Sequence, residues 1–221
     1  MLFRSRYGIA ILGKNSSAGL YQIQLPVDVD IETAAETLKK MGVAEAAAPH
    51  YVFGISEHIP FDPPYAPGVD PAQSWAFKKI RAPGVWTAYH SGSAPTLAFV
   101  DTGVDSAHID FAGKLVAGAD FIGEGNGTQD GHGHGTHAAG LAAAAGDNGY
   151  GVAGVCWGCR VMPVKVCDSK GDCPFFAVMN GITFAANAGA DVINLSVQGK
   201  VEHGSDAWKI FQTVIDHAVG T

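Results

Sequence analysis

The stretch Leu97-Ala98-Phe99-Val100-Asp101-Thr102-Gly103 decides the fold that this sequence predicts. Its first four residues form a continuous apolar run, which is typical of a strand buried on both faces, and the run ends in a carboxylate and a glycine turn. Similar short apolar runs alternate with helical patterns through the rest of the chain. This alternation predicts an α/β fold, in which a parallel sheet carries helices on both faces.

The remaining elements of this fold follow from the same patterns. The predicted strands are Val161–Val166 and Asp191–Ser196, and the predicted helices are His134–Ala145, Phe175–Ala188 and a last helix with Ser205 as its N-cap. The last helix presents on one face Trp208, Phe211, Ile215 and Ala218. In an open α/β sheet, chemistry takes place beyond the carboxyl ends of the strands, where Asp101 and Ser196 both lie.

The N-terminal quarter of the chain predicts a small α+β unit. Residues 20–25 alternate apolar and polar side chains, which indicates a half-buried strand, and a helix follows with Asp30 as its N-cap. Residues 43–55 are expected to form another strand. Because the proline-rich stretch that follows sustains neither a helix nor a central strand, the expected organisation is a unit over 1–57, a linker over 58–71 and a main domain over 72–221.

Composition limits the classes of partner. The 221 residues have 47% hydrophobic content, a formal net charge of −7 and a pI near 5.6. The sequence has no basic stripe that would neutralise phosphates, so a nucleic-acid partner is not expected. Met1–Leu12 resembles neither a signal peptide nor a membrane span, so no membrane partner is expected and an export signal would precede this chain. The protein is expected to be a monomer.

The four cysteines lie close together, at Cys156, Cys159, Cys167 and Cys173. Their spacing is compatible with a zinc site, two disulfides or free thiols, but no histidine lies among them and the last two lack the short spacing of a zinc knuckle. Disulfides are therefore favoured, and with them a secreted or extracytoplasmic protein. Of the three possible pairings, the one that joins Cys167 to Cys173 is preferred.

Two polar motifs indicate acyl-transfer chemistry. Asp101-Thr102-Gly103 follows the first buried strand, and His134-Gly135-Thr136-His137 opens a helix. An aspartate that orients a histidine, with the histidine as general base, makes up two thirds of a catalytic triad, but no serine motif completes it in this sequence. Because a helix dipole opposes an imidazolium at the helix N-terminus, His134 needs a carboxylate such as Asp101 to hold it.

These motifs resemble those of the subtilisin-like serine peptidases. The matching segments, in the order of that family, are Val100–Asp105, Gly133–Gly140 and Ala190–Ser196. The resemblance extends over about residues 61–221 and implies a partial subtilisin-like α/β domain. It also implies that Asp101 and His134 are the catalytic aspartate and histidine of a serine endopeptidase, with polypeptides as substrates.

The same resemblance assigns roles to segments around the pair. The segment that pairs with the substrate backbone as an added strand is matched by Ser196, Val197 and Gln198. The family usually has glycine in place of Gln198, and Ser196 is interpreted as a strand-end serine, not the nucleophile. Residues 1–57 resemble the later part of the family's inhibitory prodomain, which occupies the active-site cleft of the zymogen. Self-cleavage would fall between about Gly54 and Phe61.

The nucleophile of the family has no counterpart in this sequence. It is a serine in a Gly-Thr-Ser motif, assisted by an upstream asparagine that donates to the oxyanion, and both belong to segments that would follow Thr221. The resemblance therefore implies an incomplete, truncated catalytic domain that is inactive alone. The alternative is a non-catalytic pseudopeptidase that binds peptides without cutting them.

Calcium is the expected cofactor. By the resemblance, its ligands would be the side chains of Asp62, Asp110 and Asn148 and the carbonyl groups of Tyr150 and Val152. Hard oxygen ligands of this kind suit calcium. The alternative is a glycine-rich turn at Asp147-Asn148-Gly149 with ordinary Asx hydrogen bonding.

A rival class of function is a zinc-dependent hydrolase. His132, His134 and His137 have the histidine spacing of the metallo-β-lactamase fold. That motif has an aspartate where Thr136 stands here, and it leaves the turn after Asp101 unexplained. The histidines are therefore not expected to bind zinc.

Overall fold

The computed structural model describes residues 9–27, 29–55, 75–82, 86, 94–148 and 150–220. Its strands are β1 (Ala10–Asn15), β2 (Leu20–Gln24), β3 (Val52–Ile55), β4 (Thr96–Asp101), β5 (Ala119–Asp120), β6 (Arg160–Lys165), β7 (Asp172–Pro174), β8 (Val192–Asn194) and β9 (Val197–Gln198). Its helices are α1 (Ile31–Lys40), α2 (Trp75–Lys79), α3 (His134–Ala143), α4 (Phe175–Asn187) and α5 (Asp206–Gly220). The predicted linker over 58–71 lies outside the described residues.

A four-stranded parallel sheet forms the centre of the main domain. Its strand order is β5-β6-β4-β8, and β4 pairs with β6 along its whole length, from Thr96 beside Arg160 to Asp101 beside Lys165. The apolar runs of β4 and β6 are continuous because both faces of these strands are covered. The predicted α/β fold is confirmed, and the strand predicted over 191–196 is the shorter β8.

Helices cover both faces of this sheet, as the sequence predicts. On one face, Ala98 and Val100 of β4 pack in a core with Val178 and Ile182 of α4. On the other face, Phe99 packs against the alanines of α3. Full burial of one side chain of this size stabilises the fold by about 1.5–3 kcal/mol, so these alternating contacts fix which face each residue of β4 occupies.

α5 packs on α4, but not with all of the predicted face. Ser205 caps the helix as expected, since its hydroxyl accepts the backbone N–H of Trp208 at 3.2 Å. The buried residues of α5 are Ala207 and Val214, whereas the Trp208 ring contacts His203, with 4.6 Å between ring centroids. Of the four residues predicted to share one face, Phe211, Ile215 and Ala218 pack against the core that includes α4.

The N-terminal unit is an antiparallel hairpin followed by a helix. β1 pairs with β2, and the sequence did not predict β1. Asp30 caps α1 as predicted, because its Oδ1 accepts the backbone N–H of Thr33 at 2.8 Å. The strand expected over residues 43–55 is wrong in extent, since only Val52–Ile55 is part of a ladder.

β3 leaves this unit and enters a second, antiparallel sheet. It lies between β7 and β9, with Gly54 beside Asp172 on one side and beside Gln198 on the other. Just upstream of β3, the carbonyl of Tyr51 accepts the backbone N–H of Phe175 at the start of α4, at 2.6 Å. Backbone pairing on both edges of β3 therefore ties the N-terminal unit to the main domain.

Side chains also attach the N-terminal unit to α4 and α5. Asn15 of β1 donates to the Thr183 hydroxyl at 3.0 Å in a buried contact. Lys39 of α1 lies 2.6 Å from the Asp206 carboxylate. This ion pair lowers the pKa of Asp206 to about 2 and raises the pKa of Lys39, so both groups are charged throughout the physiological range.

Both disulfides close short loops of the main domain. Cys167 pairs with Cys173, as preferred from the sequence, and Cys156 pairs with Cys159. The first bridge closes the loop between β6 and β7, and the second closes the turn that leads into β6. All four cysteines are thereby paired.

Candidate active site

Asp101 is the last residue of β4 and is completely buried. Its Oδ1 accepts the backbone N–H of Thr102 at 2.7 Å and lies 2.7 Å from Nδ1 of His134. Its Oδ2 is also buried and has no hydrogen-bond partner among the described residues. A buried carboxylate with one oxygen left unpaired gains from a nearby positive charge, which the His134 ring supplies when it is protonated.

His134 is the first residue of α3, and the chain enters this helix through Gly133, whose φ of 100° favours glycine. Because a carboxylate only accepts hydrogen bonds, Nδ1 of His134 carries the proton, and Nε2 on the opposite side of the ring is the nitrogen that can take one up. The hydrogen bond with Asp101 raises the pKa of His134, and burial lowers it. The charges of Asp101 and Asp130 also raise this pKa. This is the arrangement that a general base of an acyl-transfer site needs.

A second carboxylate, which sequence analysis missed, lies beside the pair. Asp130 accepts the backbone N–H groups of Gly133 at 2.8 Å and of Thr136 at 2.9 Å. It also accepts the hydroxyl of Thr102 at 2.9 Å. An aspartate shortly before a predicted helix is the signal that could have revealed it, because a carboxylate there satisfies free backbone N–H groups.

Ser196 lies at the same edge of the sheet as Asp101. Asn194, the last residue of β8, is level with Phe99 of β4, and Ser196 follows two residues after the end of this strand. The Ser196 hydroxyl accepts the side-chain amide of Asn194 at 3.0 Å.

Val197 and Gln198 form β9 and present a strand edge to an extended segment. That segment is β3 of the same chain, with Ile55 beside Val197 and Gly54 beside Gln198. On its other edge, β3 pairs with β7. The structure therefore gathers the pair and the three predicted substrate-binding residues at the carboxyl edge of the sheet, where the chain's own N-terminal segment occupies the strand position between β7 and β9.

Comparison with known proteins agrees with this geometry. The sequence profile of the S8 peptidases, described as the Subtilase family, matches residues 92–219, which include β4, α3 and everything from β6 into α5. The chain belongs to the subtilase family. The recognised resemblance of the three motifs is thereby confirmed.

Three curated relatives show how similar this subtilase is to known peptidases of the family. Thermitase of Thermoactinomyces vulgaris is 43% identical over 144 residues, which cover 65% of this chain and 50% of the relative. Subtilisin E of Bacillus subtilis is 36% identical over 193 residues, which cover 86% and 47%. The cell wall-associated protease of Bacillus subtilis is 35% identical over 199 residues, which cover 81% and 22%. The chain spans about half the length, or less, of these relatives.

The residues expected to bind calcium in this subtilase are partly gathered by the structure. Asp110 is completely buried and accepts the side-chain amide of Asn148 at 2.7 Å and the backbone N–H of Val152 at 3.0 Å. Tyr150 lies in the same loop and donates its backbone N–H to the Asn148 oxygen at 2.9 Å. Asp62 lies outside the described residues. The Asp110 carboxylate is the kind of hard oxygen ligand that calcium prefers, whereas Asn148 and Val152 contact it through N–H groups.

The three histidines of the rival zinc hypothesis do not converge on one position for a metal ion. Nδ1 of His134 is taken by Asp101, and the ring centroids of His132 and His134 lie 6.5 Å apart. Within the described part of the chain, no group of three or more His, Cys, Asp or Glu side chains is placed to hold a metal ion, and this includes His137. The subtilase interpretation of His134 is therefore favoured over a zinc-dependent hydrolase.

Proposed function

We propose that this chain supplies the aspartate, the histidine and the substrate-binding strand of a serine endopeptidase. The observation that carries the proposal is the 2.7 Å contact between Nδ1 of His134 and the buried Asp101 at the carboxyl edge of a parallel sheet. In this role Nε2 of His134 takes the proton of a serine hydroxyl and returns it to the leaving amine, while Asp101 stabilises the imidazolium. The 221 residues contain no Gly-Thr-Ser segment, so the serine would have to come from sequence outside them.

The substrate in this proposal is a polypeptide bound as an extended strand. β7 and β9 hold β3 by backbone pairing on both edges, and a substrate would use the same backbone groups. The N-terminal unit would then be a prodomain that blocks the cleft with its own chain, in line with the self-cleavage expected between Gly54 and Phe61. Gln198 would add a side chain beside the bound strand where relatives usually have glycine.

Peptide hydrolysis by matched variants tests the proposal. The purified 221-residue chain should show no turnover that a serine-directed inhibitor blocks, because it lacks the nucleophile. In protein expressed from the full reading frame, His134→Ala should lower kcat by at least about 100-fold, the lower end of the effect of a lost general base. His132→Ala is the control, since its ring lies beside His134 but outside the pair.

Two outcomes of this experiment would contradict the proposal. Turnover that survives His134→Ala would exclude the pair as the catalytic base. A full-length protein that binds peptides in the cleft without cutting them, and whose reading frame encodes no Gly-Thr-Ser after Thr221, would support the non-catalytic binding protein instead.

We further propose that calcium occupies the loop around Asp110. The support is the buried carboxylate of Asp110 beside Asn148 and the backbone of Val152, because an ion would replace hydrogen bonds to an otherwise desolvated charge. Calcium should raise the thermal midpoint of the chain and chelation should lower it. In Asp110→Asn this calcium-dependent change should vanish, whereas Asp105→Asn, a nearby carboxylate bonded to Gln129, should keep it. An equal response in both variants would contradict the site.

Secretion is the third part of the proposal. Two disulfides in a chain of this size are typical of an oxidising compartment. Among the described residues, no helix combines the length and the apolar composition needed to cross a bilayer. Detection of the protein in the extracellular fraction of its host would support export, and its retention with reduced cysteines in the cytoplasm would contradict it.

A further inference from the structure

We propose that Asp130 is the positioning residue of the Asp101–His134 pair, holding the segment after β4 and the first turn of α3 at a fixed separation. This inference rests on the proposed function for the catalytic meaning of the pair and deepens it, since no motif of the sequence assigns a role to Asp130. Asp101 and His134 lie on different elements, so something must set the distance between those elements.

The Asp130 carboxylate reaches both elements. Its Oδ1 accepts the backbone N–H groups of His132 at 2.9 Å and Gly133 at 2.8 Å, and the hydroxyl of Thr102 at 2.9 Å. Its Oδ2 accepts the backbone N–H of Thr136 at 2.9 Å and the hydroxyl of the same residue at 2.6 Å. Five donors therefore converge on one carboxylate, from the residue after Asp101 and from both sides of His134.

Thr102 completes the link between the two elements. Its hydroxyl donates to Asp130 and at the same time accepts the backbone N–H of Gly135, at 3.0 Å. Its own backbone N–H donates to Oδ1 of Asp101, the oxygen that faces His134. A shift of Asp130 would therefore move the neighbours of Asp101 and of His134 together.

Electrostatics give Asp130 a second effect on the pair. The start of a helix carries a partial positive charge that opposes an imidazolium, and Asp130 places a negative charge against those N–H groups. The groups that face His134 are Asp101 and Asp130, whose charges favour its protonated form, and His132, whose ring would oppose that form if it were protonated. Burial disfavours the charge of Asp130, but its hydrogen bonds outweigh burial and lower its pKa, so it stays ionised while His134 titrates.

The test is the titration of His134 by NMR in the 221-residue chain, which needs no turnover. In Asp130→Asn, the pKa of His134 should fall, and the Nδ1 proton that bonds Asp101 should move upfield and exchange faster with water. Asp105→Asn removes the same charge from a neighbouring carboxylate whose bonds go to Gln129 and Ala107, and should leave both signals close to those of the parent. A pure helix cap would lower the thermal midpoint without moving either signal.

A second pair of variants keeps the proposal testable if Asp130→Asn does not fold. Thr102→Val removes the linking hydroxyl but leaves the charge of Asp130, and should still weaken the Nδ1 proton signal. Thr102→Ser restores the hydroxyl and should restore the signal. Unchanged His134 signals in folded Asp130→Asn, or in Thr102→Val, would overturn the positioning role. A full-length protein without activity would count against the proposed function alone, because these signals do not depend on a serine.

Discussion

At the scale of single residues, two carboxylates offset the unfavourable effect of the helix dipole on a protonated His134. The partial positive charge at the start of α3 disfavours a protonated His134, yet the structure raises the pKa of this residue. Asp101 does so by a direct hydrogen bond and Asp130 by its charge. In the proposed role of His134 as a general base, both effects would help, because the protonated state would form without an unpaired charge.

Gly135 sets how closely α3 approaches the turn after β4. A Cβ added at this position would meet the backbone oxygen of Gly103 and would lie 3.1 Å from Oδ1 of Asp101. We expect Gly135→Ala to lower the free energy of unfolding by about 1–3 kcal/mol, despite the better helix propensity of alanine, because backbone must move to make room. Urea unfolding measures this loss. Gly158→Ala is the control, since a Cβ there meets nothing within 4 Å, and equal losses in the two variants would contradict the close approach.

The site residues that the sequence predicts stand in local motifs, whereas the residue that it does not predict depends on a contact between distant parts of the chain. Asp101 and His134 stand in local motifs at the ends of well-marked elements, and the structure brings them together. Asp130 stands between glycines in a loop, and its role depends on Thr102, twenty-eight residues earlier in the chain. A single sequence shows no sign of that contact, because it depends on where the loop folds back against the strand.

At the scale of elements, local sequence patterns predict the central strands of the parallel sheet but not those of the antiparallel sheet. β4, β6 and α4 were predictable because each buries a continuous or periodic apolar run. β7 and β9 are two or three residues long and become strands only through pairing with β3, which lies more than a hundred residues away in the chain. Residues 43–51 were wrongly predicted as strand because their apolar pattern fits a ladder, although the structure places no ladder there.

His50 makes the attachment of the N-terminal unit to α4 dependent on pH. Its Nε2 accepts the backbone N–H of Phe176 at 3.1 Å, in the first turn of α4, and Gln22 lies 3.0 Å from its Nδ1. A protonated ring cannot accept this bond and would add a positive charge at the positive end of the helix. Burial lowers the pKa of His50 below its ordinary value of 6.5. Asp168 is a charged residue that lines the same surface groove as His50.

The sign of this effect follows from the lowered pKa of His50. Its stabilising contribution is present above pH 6.5 and is lost as the pH falls through the pKa of the folded state. Hydrogen exchange of β1 and β2, corrected for intrinsic rates, should therefore be faster at pH 5 than at pH 7. His50→Gln keeps an acceptor that does not titrate and should remove the difference, while His203→Gln, which alters a ring in contact with Trp208, should preserve it. A difference that persists in His50→Gln would contradict this role.

At the scale of the whole molecule, β3 joins the two parts of the chain by pairing with two strands of the main domain. The hairpin and α1 pack on α4 and α5, and the segment that leaves them pairs with β7 and β9 at the carboxyl edge of the sheet. Attachment of the N-terminal unit is therefore coupled to the pairing of β3 with β7 and β9. Anything that loosens β7 should loosen β3 as well, even when the parallel sheet is intact.

The two disulfides allow this coupling to be measured with a matched control. Cys167–Cys173 closes the loop that carries β7, whereas Cys156–Cys159 lies on the α3 side of the parallel sheet. Loop-closure entropy predicts that removing either short bridge costs about 2 kcal/mol, so the two losses in global stability should be similar. The double variant Cys167→Ser/Cys173→Ser should speed amide exchange in residues 52–55 relative to β4 and β6, as followed by mass spectrometry. In Cys156→Ser/Cys159→Ser, exchange in 52–55 should change only in proportion to the rest of the main domain, and equal selective loss of β3 protection in both variants would exclude the coupling through β7.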